Sequence, residues 1–269
     1  MTDHRTRLLI FLFSAIFLMP FVLTCPASAE ISFSVSPIRI ELSGEVGGTH
    51  TDIMEVRNEG NEKARIKVTM QDWLLSEDGT PSFQKAGSQG RSCTGWMKIN
   101  PVDFLLQPGE KKVVRYSVSI PEGVKNGGYR AAFMFETVPQ VEPGQKTKAV
   151  AIKGNIAAIM YLVVGKTEPV GDIADMKYDG SKKERKVLTR IKNSGDIHFR
   201  IKGSVKITDE AGKTVQTAEM PDVPILPEAA RIIPVTLDAK LPAGKYTAVS
   251  TVDIGAKTVL VGEFPFVLK

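Results

Sequence analysis

The chain has 269 residues, of which 42% are hydrophobic and 24% are charged, and its formal net charge is +5. This charge is small, and the cations mostly alternate with apolar residues, whereas a nucleic-acid binder gathers its cations on one face. The composition therefore argues against a nucleic-acid partner. Only the N-terminus contains a long apolar run, so we expect no stable membrane span in the mature chain.

The first 29 residues have the pattern of a secretory signal peptide. Two early arginines precede an apolar run over 8–24, which is followed by the small residues Ala-Ser-Ala at 27–29. We expect cleavage after Ala29 and a mature, periplasmic chain that begins at Glu30. A membrane anchor is the alternative, but Pro20 interrupts the run, which is short for a spanning helix.

Cleavage at this point leaves a single cysteine. Cys25 belongs to the removed segment, so Cys93 has no partner for an internal disulfide. A lipid attached to Cys25 is the alternative, although Thr24 is a poor residue before a lipidated cysteine. About 240 mature residues are enough for two apolar cores, and these must stabilise the fold.

The first predicted strand, 33–42, changes its apolar face at Pro37. Its apolar residues are at odd positions before the proline and at even positions after it. Such a change predicts a strand that crosses from one sheet to another. Arg39 has the opposite parity to the apolar residues that flank it, so we expect it to point away from the core.

Four later segments alternate apolar and polar residues with a period of two: 64–70, 112–120, 129–135 and 233–237. This alternation predicts strands with one buried face. Turns rich in Gly, Pro, Asn and Asp separate the strands, and no convincing helical stripe is present. The pattern is typical of immunoglobulin-like β-sandwiches.

Two distant stretches, "RNEGNEKARIKV" (57–68) and "KNSGDIHFRIKG" (192–203), are variants of one another. This self-similarity indicates a duplicated structural unit. We expect Asn and Gly in each copy to allow a positive φ between two strands. The second copy has no counterpart of 76–95, which we interpret as an insertion that folding does not require.

The predicted fold is therefore all-β, with two tandem immunoglobulin-like β-sandwich domains after a cleaved signal peptide. The predicted limits are 1–29 for the signal peptide, 30–166 for the first domain and 167–269 for the second.

No sequence motif points to catalysis. The two histidines of the mature chain, His50 and His198, are far apart, and no metal-ligand cluster, P-loop or nucleophile elbow occurs. We therefore predict a protein that is not an enzyme and uses no cofactor or metal. Trp73 and Trp96 flank the insertion and are candidates for a sugar-stacking surface, although such tryptophans more often cover a core edge.

Four segments taken in order resemble the first domain of PapD-like periplasmic chaperones of fimbrial assembly: "SPIRIEL", "VRNEGNEKARIKV", "NPVDFLLQPGEKKVVRYSV" and "GGYRAAFMFE". The resemblance covers roughly 31–164. It implies a chaperone that binds extended strands of fibre or pilus subunits by β-strand complementation during surface assembly. The implied partners are those subunits and an outer-membrane usher.

The resemblance also implies a binding site. In that family an arginine of the first strand anchors the C-terminal carboxylate of a pilin subunit, and Arg39 lies in the matching segment. The family's last strand of the domain pairs with the subunit, and its counterpart here is 148–164, with an apolar row at even positions. The family's second anchor is a cation of this strand; here Lys153 lies earlier in the strand and Asn155 lies nearer the expected place, so the sequence does not determine whether a second cation takes part. The predicted partner-binding residues are Arg39, Val150, Ile152, Lys153 and Ile156.

The second half departs from the chaperone pattern. It resembles generic immunoglobulin-like surface modules, and the two-domain pattern is also similar to Gram-positive surface proteins that partner WxL-domain proteins. The alternative function is therefore a cell-surface adhesion or scaffold protein.

Overall fold

The computed structural model describes residues 32–138, 154–180 and 184–269. These ranges contain strands, turns and one short 3-10 turn, Thr94–Trp96, so the predicted all-β class is confirmed. The predicted signal peptide, 1–29, lies outside the described residues. Within them, no helix has the length and apolar character needed to cross a membrane.

In the described part of the chain, ten strands form a first sandwich. They are β1 (Phe33–Ser36), β2 (Arg39–Gly44), β3 (Thr49–Asn58), β4 (Ala64–Leu75), β5 (Pro81–Lys85), β6 (Met97–Asn100), β7 (Asp103–Leu106), β8 (Lys111–Ser119), β9 (Gly127–Val138) and β10 (Asn155–Val164). One sheet has the order β1-β3-β8-β6. The other has the order β2-β10-β9-β4-β5, and β7 also pairs with β4.

Nine strands of residues 154–180 and 184–269 form a second sandwich. They are β11 (Gly171–Asp179), β12 (Lys186–Asn193), β13 (Phe199–Arg200), β14 (Lys202–Asp209), β15 (Thr214–Glu219), β16 (Pro224–Ile225), β17 (Ala230–Thr236), β18 (Gly244–Asp253) and β19 (Leu260–Leu268). The sheets have the orders β11-β12-β17 and β15-β14-β18-β19, and β13 pairs with β16.

Each sandwich has its own apolar core. The first lies between the two sheets and includes Ile66, Tyr116 and Phe133. The second includes Ile191 and Ile207. The immunoglobulin-like, two-domain class is thus confirmed, whereas the predicted limits at 166 and 167 stay a prediction.

The chain crosses between the sheets of the first sandwich at Pro37, as the change of apolar parity predicts. β1 pairs antiparallel with β3 in one sheet, and β2 pairs parallel with β10 in the other. After the crossing, Ile40 is buried and Arg39 is exposed. The parity of the side chains therefore places the Arg39 side chain outside the core.

The first copy of the repeated sequence contains an asparagine whose side chain links a turn to the end of β7. Asn58 is fully buried. Its side-chain nitrogen donates to the carbonyl oxygens of Glu62, at 2.7 Å, and Leu106, at 3.2 Å. Its side-chain oxygen accepts a hydrogen bond from the backbone N–H of Gly60 at 3.0 Å. Both ends of the buried amide are therefore satisfied.

The second copy repeats this arrangement bond for bond. Asn193, also fully buried, donates to the carbonyls of Ile197, at 2.8 Å, and Ile225, at 3.0 Å, and accepts from the N–H of Gly195 at 2.9 Å. The repeat is thus a repeat of hydrogen-bond geometry. Neither Gly60 nor Gly195 has a positive φ, so that expectation is wrong. The asparagine side chain closes the turn instead.

The segment 76–95 is an integral part of the structure. It contains β5, which pairs with β4, and Cys93, which is fully buried in the first core. Trp73, immediately before it, is only 2% exposed, and Trp96 packs against the first core. The two tryptophans therefore cover core edges. The interpretation of this segment as a simple insertion between strands is wrong, because it supplies a strand and a buried core residue; the expectation that folding does not require it stays a prediction.

Candidate strand-binding site

β10 has different neighbours along its length. β9 pairs with all of it, whereas β2 pairs with it only from Ile159 to Val164. Among the described residues, no strand lies on the β2 side of Asn155–Ala158. This stretch is an open sheet edge, and we call it the β10 edge.

Alternate residues of the β10 edge direct their backbone N–H and C=O groups toward its open side. The N–H of Ile159 donates to the carbonyl of Ile38 at 2.8 Å, which is the first bond of β10 on that side between residues that the structure describes. Backbone groups alternate in direction along a strand, so those of Ala157 and Asn155 point the same way. Their N–H and C=O groups are therefore placed to bond an added strand.

Arg39 lies where the β10 edge ends. It begins β2 and is the register partner of Ile159. Its side chain is 54% exposed, and its Nε lies 3.6 Å from Oε1 of Glu41. A surface contact of this length is weak. The guanidinium is therefore accessible to a stronger acceptor, such as a carboxylate that it can bind through two parallel hydrogen bonds.

Three of the predicted partner-binding residues, Val150, Ile152 and Lys153, lie outside the described residues, and their roles stay predictions. Ile156 is partly buried and packs against the first core. An apolar residue, Ile159, stands opposite Arg39 in the register. The structure thus brings Arg39 and the end of the β10 edge together without a cation from the described part of β10.

Part of the apolar row at even positions of β10 belongs to the core. Ala158, Met160 and Leu162 are buried in the core of the first sandwich. In addition, β2 covers the strand from Ile159 onward. The expectation that the whole of 148–164 offers an open edge is therefore wrong for Ile159–Val164, because the crossing at Pro37 brings β2 against it.

The second sandwich also contributes to the surroundings of Arg39. No sequence pattern indicated this contribution. His198 Nε2 lies 3.2 Å from Oε2 of Glu41, and the imidazole stacks on the ring of Tyr161. Burial lowers the pKa of His198, and burial raises the pKa of Tyr161 to about 12. No local pattern could have shown this contact, since the three residues are distant in sequence.

A cleft of about 360 Å³ lies beside Glu41 at the junction of the sandwiches. Its lining combines a carboxylate of the first sandwich with basic and acidic residues of the second, including His198, Arg200, Lys202 and Asp253. The described part of the chain contains no group of three or more His, Cys, Asp or Glu placed to hold a metal ion.

No family model and no curated protein matches the sequence. Solved structures of many fimbrial chaperones do match the fold. The Class 5 fimbriae chaperone CfaA is 14% identical, with a TM-score of 0.49, and the match covers 86% of this chain and 98% of that one. The E. coli chaperone DraB is 14% identical, with a TM-score of 0.44 and coverages of 89% and 98%.

A third match is the Salmonella enterica SafA pilin in complex with the SafB chaperone. It is 14% identical, with a TM-score of 0.43, and covers 90% of this chain and 99% of that one. The resemblance to PapD-like chaperones that the motifs indicated is confirmed as a likeness of fold. At these identities the likeness concerns the fold alone.

Proposed function

We propose that the protein is a periplasmic, chaperone-like protein that binds extended strands of surface-fibre or pilus subunits by β-strand complementation. The observation that carries this proposal is the β10 edge at Asn155–Ala158, which ends at the exposed guanidinium of Arg39. An open edge is normally covered, twisted away or blunted in a protein that does not use it.

The geometry favours a partner strand that runs parallel to β10. β2 is itself parallel to β10 and starts at Arg39. A strand placed on the β10 edge in line with β2, and with the same direction, therefore ends beside Arg39. Its terminal carboxylate would accept a charge-assisted pair of hydrogen bonds from the guanidinium. The proposed ligand is thus the C-terminal strand of a subunit.

Main-chain hydrogen bonds to Asn155 and Ala157 would supply affinity that does not depend on the partner's sequence. Side chains at every second position of the partner would supply selectivity. A subunit with an incomplete immunoglobulin-like fold offers such a strand, because its own apolar groove leaves neighbouring strands without a partner.

The SafB structure is that of a chaperone in complex with a pilin, and a pilin-like subunit is the partner that we propose for this chain. An outer-membrane usher is the second proposed partner, through the same resemblance. Both proposals require export, which the predicted signal peptide provides.

Affinity capture from the periplasm of the producing organism tests this function. The tagged protein should retain an exported protein that lacks one immunoglobulin strand. Arg39→Ala should reduce the retained amount about tenfold or more, since a hydrogen bond to a charged group contributes about 1.5–3 kcal/mol. Its thermal unfolding should be nearly unchanged, because an exposed ion pair contributes at most about 1 kcal/mol.

Arg57 provides a matched control. It is also exposed on a strand and lies 3.5 Å from a glutamate two residues later, Glu59. Arg57→Ala should therefore capture the partner as the wild type does. Equal capture by the Arg39 and Arg57 variants would contradict the proposed site, and capture of a WxL-domain protein would favour the surface-scaffold alternative.

A further inference from the structure

A small apolar cluster joins the two sandwiches. Trp73 of β4 and Tyr161 of β10 meet Leu226 of the second sandwich. The two aromatic rings are edge to face, with centroids 5.3 Å apart. An apolar centre of this size is small for a fixed junction, and relative motion is the usual expectation for domains with a small contact.

The hairpin tip between β4 and β5 makes a polar contact on one side of this cluster. The carboxylate of Glu77 accepts two hydrogen bonds from the guanidinium of Arg190, at 2.6 and 3.1 Å. The backbone carbonyl of Glu77 also accepts a bond from the N–H of Ile232 at 2.8 Å. The tip of a first-sandwich hairpin is therefore bonded to both β12 and β17.

The same tip fits closely against a buried arginine. Gly79 has a φ of 90°, and a Cβ at this position would overlap the guanidinium of Arg231. Hydrogen bonds among Ser76, Asp78 and Thr80 keep the turn in shape. The tip is thus a formed turn that rests on the second sandwich.

The segment after β5 makes a second polar contact. Arg91 Nη2 lies 2.6 Å from the carboxylate of Asp196 and 2.9 Å from that of Glu228, and Nη1 donates to the carbonyl of Asp196 at 3.1 Å. The N–H of Gly128 donates to the same carbonyl at 2.7 Å. Only 21% of the Arg91 side chain is exposed, whereas the side chains of Asp196 and Glu228 are 68% and 74% exposed, so salt can screen these pairs.

We propose that residues 76–91 form an electrostatic clamp that fixes the second sandwich against the first. The duplicated unit of the second sandwich has no counterpart of this segment, and the segment's charged contacts, Glu77 with Arg190 and Arg91 with Asp196 and Glu228, all reach the other sandwich. The clamp sets the angle between the sandwiches and is weakened by salt. This inference stands on contacts within the chain and is independent of the proposed function.

Charge reversal in the full mature chain tests the clamp. Glu77→Arg and Arg190→Glu should each increase the radius of gyration measured by small-angle X-ray scattering and separate thermal unfolding into two transitions. The double variant restores an opposite-charge pair and should return both measurements toward the wild type. Single variants that leave both measurements unchanged, or a double variant that is no better than the singles, would overturn the proposal.

Alanine variants at two glycines distinguish the loss of tip docking from the effect of backbone strain. Gly79 and Gly87 both have positive φ, so alanine is strained at either position, but a Cβ at Gly87 meets nothing within 4 Å. Gly79→Ala should increase the radius of gyration, and Gly87→Ala should not. Equal radii for these two variants would contradict the docked tip. The control for charge reversal is Arg65→Glu. It disrupts the Arg65–Asp103 pair, which lies within the first sandwich at 2.8 Å, and should leave the radius of gyration unchanged.

Discussion

The ring of Tyr161 in the first sandwich stacks on the ring of His198 in the second, with centroids 4.3 Å apart and planes inclined by 27°. His198 also contacts Glu41 of β2. Tyr161 belongs to β10, and β10 and β2 are the strands that border the proposed binding edge. One contact of the junction between the sandwiches therefore involves the same two strands as the binding edge.

This contact predicts a pH dependence of stability. Burial lowers the pKa of His198, Arg200 lowers it further, and a hydrogen bond to Glu41 opposes the shift. Because the folded pKa lies below the unfolded value of about 6.5, the unfolded state binds more protons below that pH. The stability that the neutral His198 imidazole contributes is therefore fully present above about pH 6.5, and it is lost as the pH falls below that value.

Urea unfolding of His198→Phe checks this expectation, since phenylalanine can stack on Tyr161 and does not titrate. The free energy of unfolding of the wild type should fall more steeply than that of the variant between about pH 6.5 and 5. If the free energies of unfolding of wild type and His198→Phe changed with pH in parallel, protonation of His198 would not affect stability.

The buried asparagines should be important for stability in both sandwiches. Asn58→Ala and Asn193→Ala each remove three hydrogen bonds, two of which satisfy backbone carbonyl groups, so each should cost about 2–4 kcal/mol. Asn155→Ala, at an exposed position of β10, should change stability by less than about 0.5 kcal/mol. Denaturant unfolding measures all three, and a loss below about 1 kcal/mol at either buried position would contradict the assigned role.

Each sandwich also contains a tyrosine that bonds to a backbone carbonyl four residues earlier. The hydroxyl of Tyr129 donates to Lys125 at 2.8 Å, and that of Tyr246 donates to Pro242 at 2.9 Å. This is the tyrosine corner of immunoglobulin-like folds. Replacement of either by phenylalanine should lower the free energy of unfolding by about 0.5–1.5 kcal/mol. Unchanged unfolding midpoints in both variants would argue against these bonds.

Cys93 should be unreactive in the folded protein. Burial raises the pKa of its thiol to about 12, and the side chain is inaccessible in the first core. Iodoacetamide, which reacts with the thiolate, should therefore label the protein only after unfolding. Mass spectrometry at pH 8 with and without urea measures this difference, and rapid labelling of the native protein would mean that the segment around Cys93 opens.

Local patterns predicted those features of the fold that depend on residues close in sequence. The parity change at Pro37 predicted that β1 and β2 lie in different sheets, because side chains alternate along a strand. The similarity around Asn58 and Asn193 predicted a duplicated unit. The positive φ expected at the glycines was wrong, since an asparagine side chain can close the same turn.

Features that depend on pairing between distant segments were not predicted. β2 covers part of β10 across a sequence separation of more than a hundred residues, so no local pattern marks where the open edge ends. Similarly, 76–95 was interpreted as dispensable because the second copy lacks it. Its partners, Arg190 and Asp196, are also more than a hundred residues away.

Photocrosslinking from the β10 edge tests the central claim most directly. A photoreactive amino acid in place of Asn155, introduced in the producing organism, should crosslink to the C-terminal strand of an exported subunit that lacks one immunoglobulin strand. The crosslink should be lost with Arg39→Ala and kept with Arg57→Ala, and the same group at Thr217, on the exposed strand β15, should not form it. No crosslink from position 155, or one that persists with Arg39→Ala, would contradict the account.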